Sequence, residues 1–200
     1  MSLKKIVIFA SGSGSSAENI IANFNGKTSI RVEKLYCNNQ KAFVLERIKK
    51  HNINTMIFNN SELETGKVLE DLIKVRPELI VLAGFLRKIP KAIIDEFKNK
   101  IINIHPALLP KYGGQGMFGL NVHQKVIDNK DFHSGFTIHY VNENYDEGNV
   151  IFQKKIEVKS STAEELSKKV LAQEHKYYPT IINSLLNEWS RNNNIHGWVI

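Results

Sequence analysis

The sequence predicts an α/β domain with a mostly parallel sheet, a late antiparallel hairpin and a C-terminal helix, and three features carry that reading. Short apolar runs alternate with segments of helical periodicity through the first half of the chain. The first run ends in a glycine-serine turn, Ser11-Gly12-Ser13-Gly14-Ser15-Ser16, that opens a helix. After residue 117, two longer segments of alternating character, "GFTIHYV" and "VIFQKKIEV", are joined by the turn-rich "NENYDEGN". Short strands separated by helices imply a parallel sheet wound by right-handed crossovers.

Taken in order, strands are expected at Lys5–Ala10, Ile30–Cys37, Ile53–Phe58, Leu79–Ala83 and Ile101–Ile104. Helices fill the gaps at Ser16–Asn23, Lys41–His51, Ser61–Val75 and Pro90–Phe97. Ser61 followed by Glu64 reads as a capping box, and Pro90 suits a first helical turn. A helix near Val122–Asp128 precedes the hairpin. The stretch "STAEELSKKVLAQEHKYYPTIINSLLNEW" reads as one long helix or a broken pair, capped by Ser161 or Thr162 and interrupted near Pro179. Residues 1–188 form one domain in this reading, and the Asn-rich 189–200 is a loosely attached tail.

The 200-residue length is ample for one core, and 42% apolar with 24% charged residues is ordinary for a globular chain. No run approaches the roughly 18 apolar residues of a membrane span. "IVIFA" is too short for a signal-peptide core, so no membrane is expected as a partner and the location is read as cytoplasmic. The single Cys37 ends an apolar run and reads as a buried core thiol in a reducing compartment. The net charge of +7 comes from scattered lysines, with no aromatic RNA-binding motif or helix-turn-helix pattern. A small phosphorylated or polycarboxylate substrate accounts for it as well as nucleic acid does, and a merely lysine-rich chain accounts for it too.

Two motifs carry chemistry. Backbone amides in the glycine-serine turn, with the helix N-terminus behind them, make an anion site suited to phosphate. A dinucleotide fingerprint is not completed: Ala17 stands at the third glycine position, and strand two ends in Tyr36-Cys37-Asn38-Asn39 without an acidic residue. No Gly-Lys-Ser/Thr follows, which excludes a P-loop. A phosphate loop without a dinucleotide is the expectation, against a plain tight turn.

The second motif is Asn103-Ile104-His105, at the end of a central strand and just before Pro106. Residues i and i+2 of a strand share a face, so an amide and an imidazole project together where α/β sheets bind ligands. Asp146-Glu147-Gly148 offers a carboxylate on a turn, and no histidine has a metal-ligand spacing such as His-Glu-x-x-His. The motif therefore reads either as a satisfied polar pair or as acyl-type chemistry, with Asn and His donors for a developing oxyanion and a carboxylate tuning the imidazole.

The segments "KKIVIFASGSGSSAENII", "LIVLAGFLRKIP", "NIHPALLPKYGG", "GFTIHYVNENYDEGNVIFQ" and "AQEHKYYP" resemble the folate-dependent phosphoribosylglycinamide formyltransferases, in the same order and over nearly the whole chain. The resemblance implies a single-domain Rossmann-like formyltransferase fold. It also implies formyl transfer from 10-formyltetrahydrofolate, as co-substrate, to the amine of glycinamide ribonucleotide in purine synthesis, with no metal and no nucleic acid. Carried over by position, Asn103 and His105 would hold the oxyanion, and Asp146 would keep His105 cationic and relay protons through water. Gly14, Ser15 and Ser16 would hold the phosphate, and Glu174 would reach the amine side. Leu86, Arg87, Lys88 and Ile89, with Asn103 and the segment Val141–Asp146, would line the pterin pocket.

This chain departs from the family pattern in three places. Ser13 and Ser16 replace the asparagines common in the phosphate loop, and no arginine occurs near Ser61-Glu62, where a folate contact would fall. The stretch after Tyr112 is longer and richer in glycine, and residues 113–119 read either as a permissive loop or as a lid. The competing functions are a formyltetrahydrofolate deformylase, which usually carries an extra N-terminal domain where this chain begins at strand one, and a non-catalytic nucleotide-binding module. Formylation of an aminoacyl-tRNA is a third, expected with a C-terminal RNA-binding domain.

Overall fold

In a computed structural model, which describes residues 3–26, 29–159 and 162–188, the first strand sets the layering of the whole molecule. Strand β1 (Lys4–Ala10) sends Ile6, Ile8 and Ala10 into one buried cluster and Val7 and Phe9 into another, on the opposite face. A strand covered on both faces needs apolar residues at every position, which is why "IVIFA" is continuous rather than alternating. The same division recurs in β4 (Leu79–Leu82), with Leu79 and Val81 on one side and Ile80 and Leu82 on the other.

The remaining strands are β2 (Ile30–Cys37), β3 (Asn54–Ile57), β5 (Ile101–His105), β6 (His133–Tyr140) and β7 (Val150–Glu157). They form one seven-stranded sheet in the order β3-β2-β1-β4-β5-β6-β7. Strands β1 to β5 are parallel, and β6 and β7 run antiparallel, as the turn-rich joining segment suggested. The order reverses between β1 and β4, the place where open α/β sheets leave a crevice at their carboxyl edge.

The helices are α1 (Ser15–Phe24), α2 (Phe43–Arg47), α3 (Asn60–Glu64), α4 (Lys67–Val75), α5 (Lys91–Glu96), α6 (Leu120–Asp128) and α7 (Ala163–Glu188). Three expectations need correction. The Lys41–His51 helix is shorter, a single α2 followed by a 3-10 turn at Lys49–His51 that Asn52 ends in a left-handed conformation. Ser61–Val75 is two helices, because Gly66 at φ 95° breaks the ladder, and the capping box belongs to Asn59 and Glu62 rather than Ser61 and Glu64.

The third correction concerns Pro179, which lies inside an unbroken α7. Proline supplies no N–H to the carbonyl four residues earlier. That carbonyl, of His175, instead accepts a hydrogen bond from Asn19 Nδ2 of α1 at 2.7 Å. A contact from another helix satisfies the orphan group, so the helix continues. Thr162 caps α7, its hydroxyl accepting from the Glu165 N–H. Ser161 and the expected tail 189–200 lie outside the described residues. Cys37 is fully buried and free. Among the described residues, no helix is long and apolar enough to cross a membrane.

Candidate active site

At the carboxyl ends of β1, β4 and β5 lies a cavity of about 710 Å³. The glycine-serine turn forms one wall. Gly14 adopts φ 74°, and a Cβ there would meet Val44 Cγ2 of α2 at 2.2 Å, so both backbone conformation and space require glycine. Gly14 is the N-cap of α1 and offers no side-chain cap, so the first amides of the helix, at Ser15, Ser16 and Ala17, stay available to an anion. Arg47 backs the turn, donating from Nε to the Ser13 carbonyl at 2.9 Å and from Nη1 to Glu18 at 2.8 Å.

Asn103 and His105 share one face of β5, as their spacing requires, and both line the cavity. Asp146 enters from the β6–β7 connection in a left-handed conformation, φ 57°. Its neighbour Gly148 packs so closely on β6 that a Cβ would sit 1.7 Å from the Tyr140 carbonyl oxygen. Asp146 Oδ2 accepts from the Gly114 N–H at 3.0 Å and lies 3.4 Å from His105 Nδ1, while Oδ1 lies 3.4 Å from Asn103 Nδ2. The other ring nitrogen, His105 Nε2, is 2.7 Å from the Tyr112 carbonyl. A carbonyl can only accept, so Nε2 carries the proton.

Electrostatics here oppose one another. Burial is the strongest influence on His105 and pulls its pKa below the ordinary histidine value, against the raising effects of the Asp146 charge and the Tyr112 carbonyl. The cationic His105 that the resemblance implied is therefore not what the free protein favours. Burial would raise the Asp146 carboxyl, but the His139 and His105 imidazoles and the Gly114 N–H outweigh it, and its pKa ends below the usual range. Asp146 is ionised at neutral pH.

Glu174 projects from α7 into the cavity, and among the described residues no cation pairs with it. Burial alone pushes its carboxyl up to about 7. Leu86, Arg87, Lys88 and Ile89 follow β4 on the far wall, with Val141 beside them at the end of β6. Ser11 ties this region together: its hydroxyl donates to Asn38 Oδ1 at 2.6 Å and accepts from the Leu86 N–H at 2.9 Å. The structure thus gathers every sequence-predicted site residue around one cavity.

Sequence reasoning missed three residues, and the part played by the Ser11 hydroxyl within the turn it had singled out. His139 lies opposite Asn103 in the β5–β6 ladder, its Nε2 3.2 Å from Asn103 Nδ2 and its Nδ1 donating to the Tyr140 carbonyl. The alternation of "GFTIHYV" marked a strand, but only the register says which residue faces which. His123 lines the cavity from α6, buried and with Nδ1 unpartnered among the described residues, and burial lowers its pKa to about 4. Ser11 and Tyr112 act through a hydroxyl and a carbonyl, for which no motif exists. Among the described residues, no group of His, Cys, Asp and Glu is placed to hold a metal ion.

The fold and this arrangement have relatives. The family model described as Formyl transferase matches residues 4–182. A Bacillus subtilis protein named phosphoribosylglycinamide formyltransferase is 34% identical over 92% of this chain and 95% of its own length. The chloroplastic protein of that name from Arabidopsis thaliana is also 34% identical over 92% of this chain, which spans just 66% of that relative's length. The solved phosphoribosylglycinamide formyltransferase of Bacillus halodurans superposes with a TM-score of 0.82 at 32% identity, covering 92% of this chain and 95% of that one. A match over nearly the whole domain, with the charged and amide groups gathered at one sheet edge, places this chain in the formyl transferase family.

Proposed function

We propose that this protein transfers the formyl group of 10-formyltetrahydrofolate to the amine of glycinamide ribonucleotide, a step of purine synthesis. The observation that carries the reading is one cavity holding a helix N-terminus fit for phosphate, a buried carboxyl without a cation, and the Asn103–His105–Asp146 constellation. The phosphate sits on the amides of Gly14, Ser15 and Ser16, and Glu174 faces the substrate amine. A buried carboxyl is costly to ionise without a partner, and an ammonium or amine supplies one. The folate ring lies against Leu86–Ile89 and Val141. The buried free thiol of Cys37 fits a cytoplasmic location.

In the chemical step the amine nitrogen attacks the formyl carbon, forming a C–N bond and placing negative charge on the formyl oxygen. Asn103 Nδ2 and His105 Nδ1 converge beside Asp146 and hydrogen-bond that oxygen, His105 once protonated. The intermediate then breaks its bond to N10 of the folate. The proton lost by the amine passes by way of Asp146 and water to N10, so charge and protons balance. A formyl-transfer assay with glycinamide ribonucleotide, with water alone and with buffer amines tests the reading. Release of formate without formylated ribonucleotide would sink it in favour of hydrolysis.

A further inference from the structure

We infer that Tyr112 is a positioning residue for His105: its phenol, anchored outside the cavity by Asp131 and Asn129, fixes the backbone carbonyl that holds the His105 Nε2–H. The inference rests on the catalytic reading of His105 given above and adds what selects its working nitrogen.

Tyr112 is in the left-handed region, φ 60°, which a bulky side chain adopts only where its surroundings impose it. Those surroundings are specific. The Tyr112 hydroxyl donates to Asp131 Oδ2 at 2.7 Å and accepts from Asn129 Nδ2 at 2.6 Å. Asp131 is held in turn by Lys111 Nζ at 2.7 and 2.6 Å, and that ammonium lies 5.0 Å from the centre of the Tyr112 ring. Asn129 caps α6 and Asp131 follows just beyond it, their N–H groups bonded to the Lys125 and Val126 carbonyls. The phenol is thereby fastened to a helix terminus, while the carbonyl at the other side of the same residue reaches His105.

The consequence is chemical. With Nε2–H committed to the Tyr112 carbonyl, Nδ1 is the nitrogen that faces Asp146 and the reacting oxygen. Lys111, Tyr112 and Asp131 do not line the catalytic cavity but border a separate hollow of about 240 Å³. Their effect on the reaction must pass through His105 rather than through a substrate contact. The groups facing His105 are Asp146 from the hairpin loop, His139 from β6, His123 from α6 and the Tyr112 carbonyl. Of these, Asp146 and the carbonyl favour the charged ring. A loosened carbonyl therefore lowers the His105 pKa as well as its tautomeric bias.

The test compares Tyr112→Phe, which keeps the ring and backbone but removes the hydroxyl, with Asp131→Ala and Asp131→Asn in the full-length enzyme. Misplacement of a catalytic group by a fraction of an ångström predicts a kcat lower by about tenfold for Tyr112→Phe and Asp131→Ala, with KM for both substrates little changed. Asp131→Asn keeps an acceptor for the hydroxyl and restores most of the loss. Nitrogen NMR of His105 reads the mechanism directly: the Nε2–H population and the titration midpoint both fall in Tyr112→Phe. Wild-type kcat with an unchanged His105 titration overturns the inference, as does a loss confined to KM. If Tyr112→Phe fails to fold, Asp131→Ala carries the same two readouts. His105→Ala is measured alongside: if it stays active the catalytic reading itself falls, and if it is inactive while Tyr112→Phe behaves as wild type, only the anchoring role falls.

Discussion

The amide of Asn103 and the imidazole of His139 lie 3.2 Å apart because the antiparallel β5–β6 ladder puts the two residues in register. His139 Nδ1 donates to the Tyr140 carbonyl, so Nε2 accepts and holds the Asn103 NH₂ toward the cavity. In the proposed mechanism Asn103→Ala removes a donor to the developing oxyanion, and it is expected to lower kcat about 100- to 1000-fold. His139→Ala frees that amide to rotate and removes an imidazole that helps hold the Asp146 pKa down, and the expected loss is nearer tenfold. Steady-state kinetics separate the two, and equal losses would mean that His139 itself contacts the reacting groups.

Asp146 holds the His105 pKa up, though not enough to overcome burial. Asp146→Asn removes the opposing charge, so the His105 midpoint falls further below the ordinary value. NMR titration of His105 in the two proteins checks this. A raised or unchanged midpoint in the variant would show that the 3.4 Å approach carries no electrostatic coupling.

Glu174 makes the free protein's stability depend on pH. Its folded pKa is near 7 against an ordinary 4.5, so the folded state binds the extra proton between these values. Its contribution is complete below about pH 4.5 and is lost as pH rises toward 7. Glu174→Gln abolishes that dependence, and at pH 8 the variant is expected to be more stable than wild type by ~3 kcal/mol while losing affinity for the ribonucleotide amine. Urea unfolding at pH 5 and pH 8 measures both slopes; parallel slopes would refute the assignment.

Gly148→Ala tests how Asp146 is placed. The added methyl would lie 1.7 Å from the Tyr140 carbonyl oxygen, so backbone rather than a flexible side chain must move. A stability loss of about 2–4 kcal/mol is expected, together with lost transfer activity. Retained activity at full stability would mean that the loop can place its carboxylate another way.

The loop 113–119 borders the cavity, and its Gly114 N–H bonds Asp146. Met117 and Phe118 are its bulky apolar side chains, and Phe118 is 48% exposed. Replacing both with serine is expected to raise formate release relative to transfer, because a polar rim admits water to a hydrolysable group. An unchanged ratio of formate to formylated ribonucleotide would leave the segment a plain surface loop.

Local rules carried a good part of this protein. The continuous apolar run of β1 and the two-residue period that puts Asn103 and His105 on one face depend only on neighbours in sequence. Gly14 at a strand-to-helix turn was readable for the same reason, since its backbone requirement is local. Local rules misplaced the capping box at Ser61 and Glu64, where the fold uses Asn59 and Glu62, and they interrupted α7 near Pro179, whose missing hydrogen bond is made good by Asn19.

What remained depended on contacts between residues distant along the chain. His139 meets Asn103 through strand register, and Asp146 reaches both histidines through the length and handedness of the hairpin turn. Glu174 is an ordinary helical glutamate in sequence, and its high pKa comes from packing that removes water without supplying a cation. The Tyr112 carbonyl is invisible to any motif because every residue has one. Composition and periodicity could therefore name the strand ends that border the candidate site, but the tautomers, charges and distances there arise only when the sheet brings separate segments within a few ångströms, where desolvation and Coulomb attraction become strong.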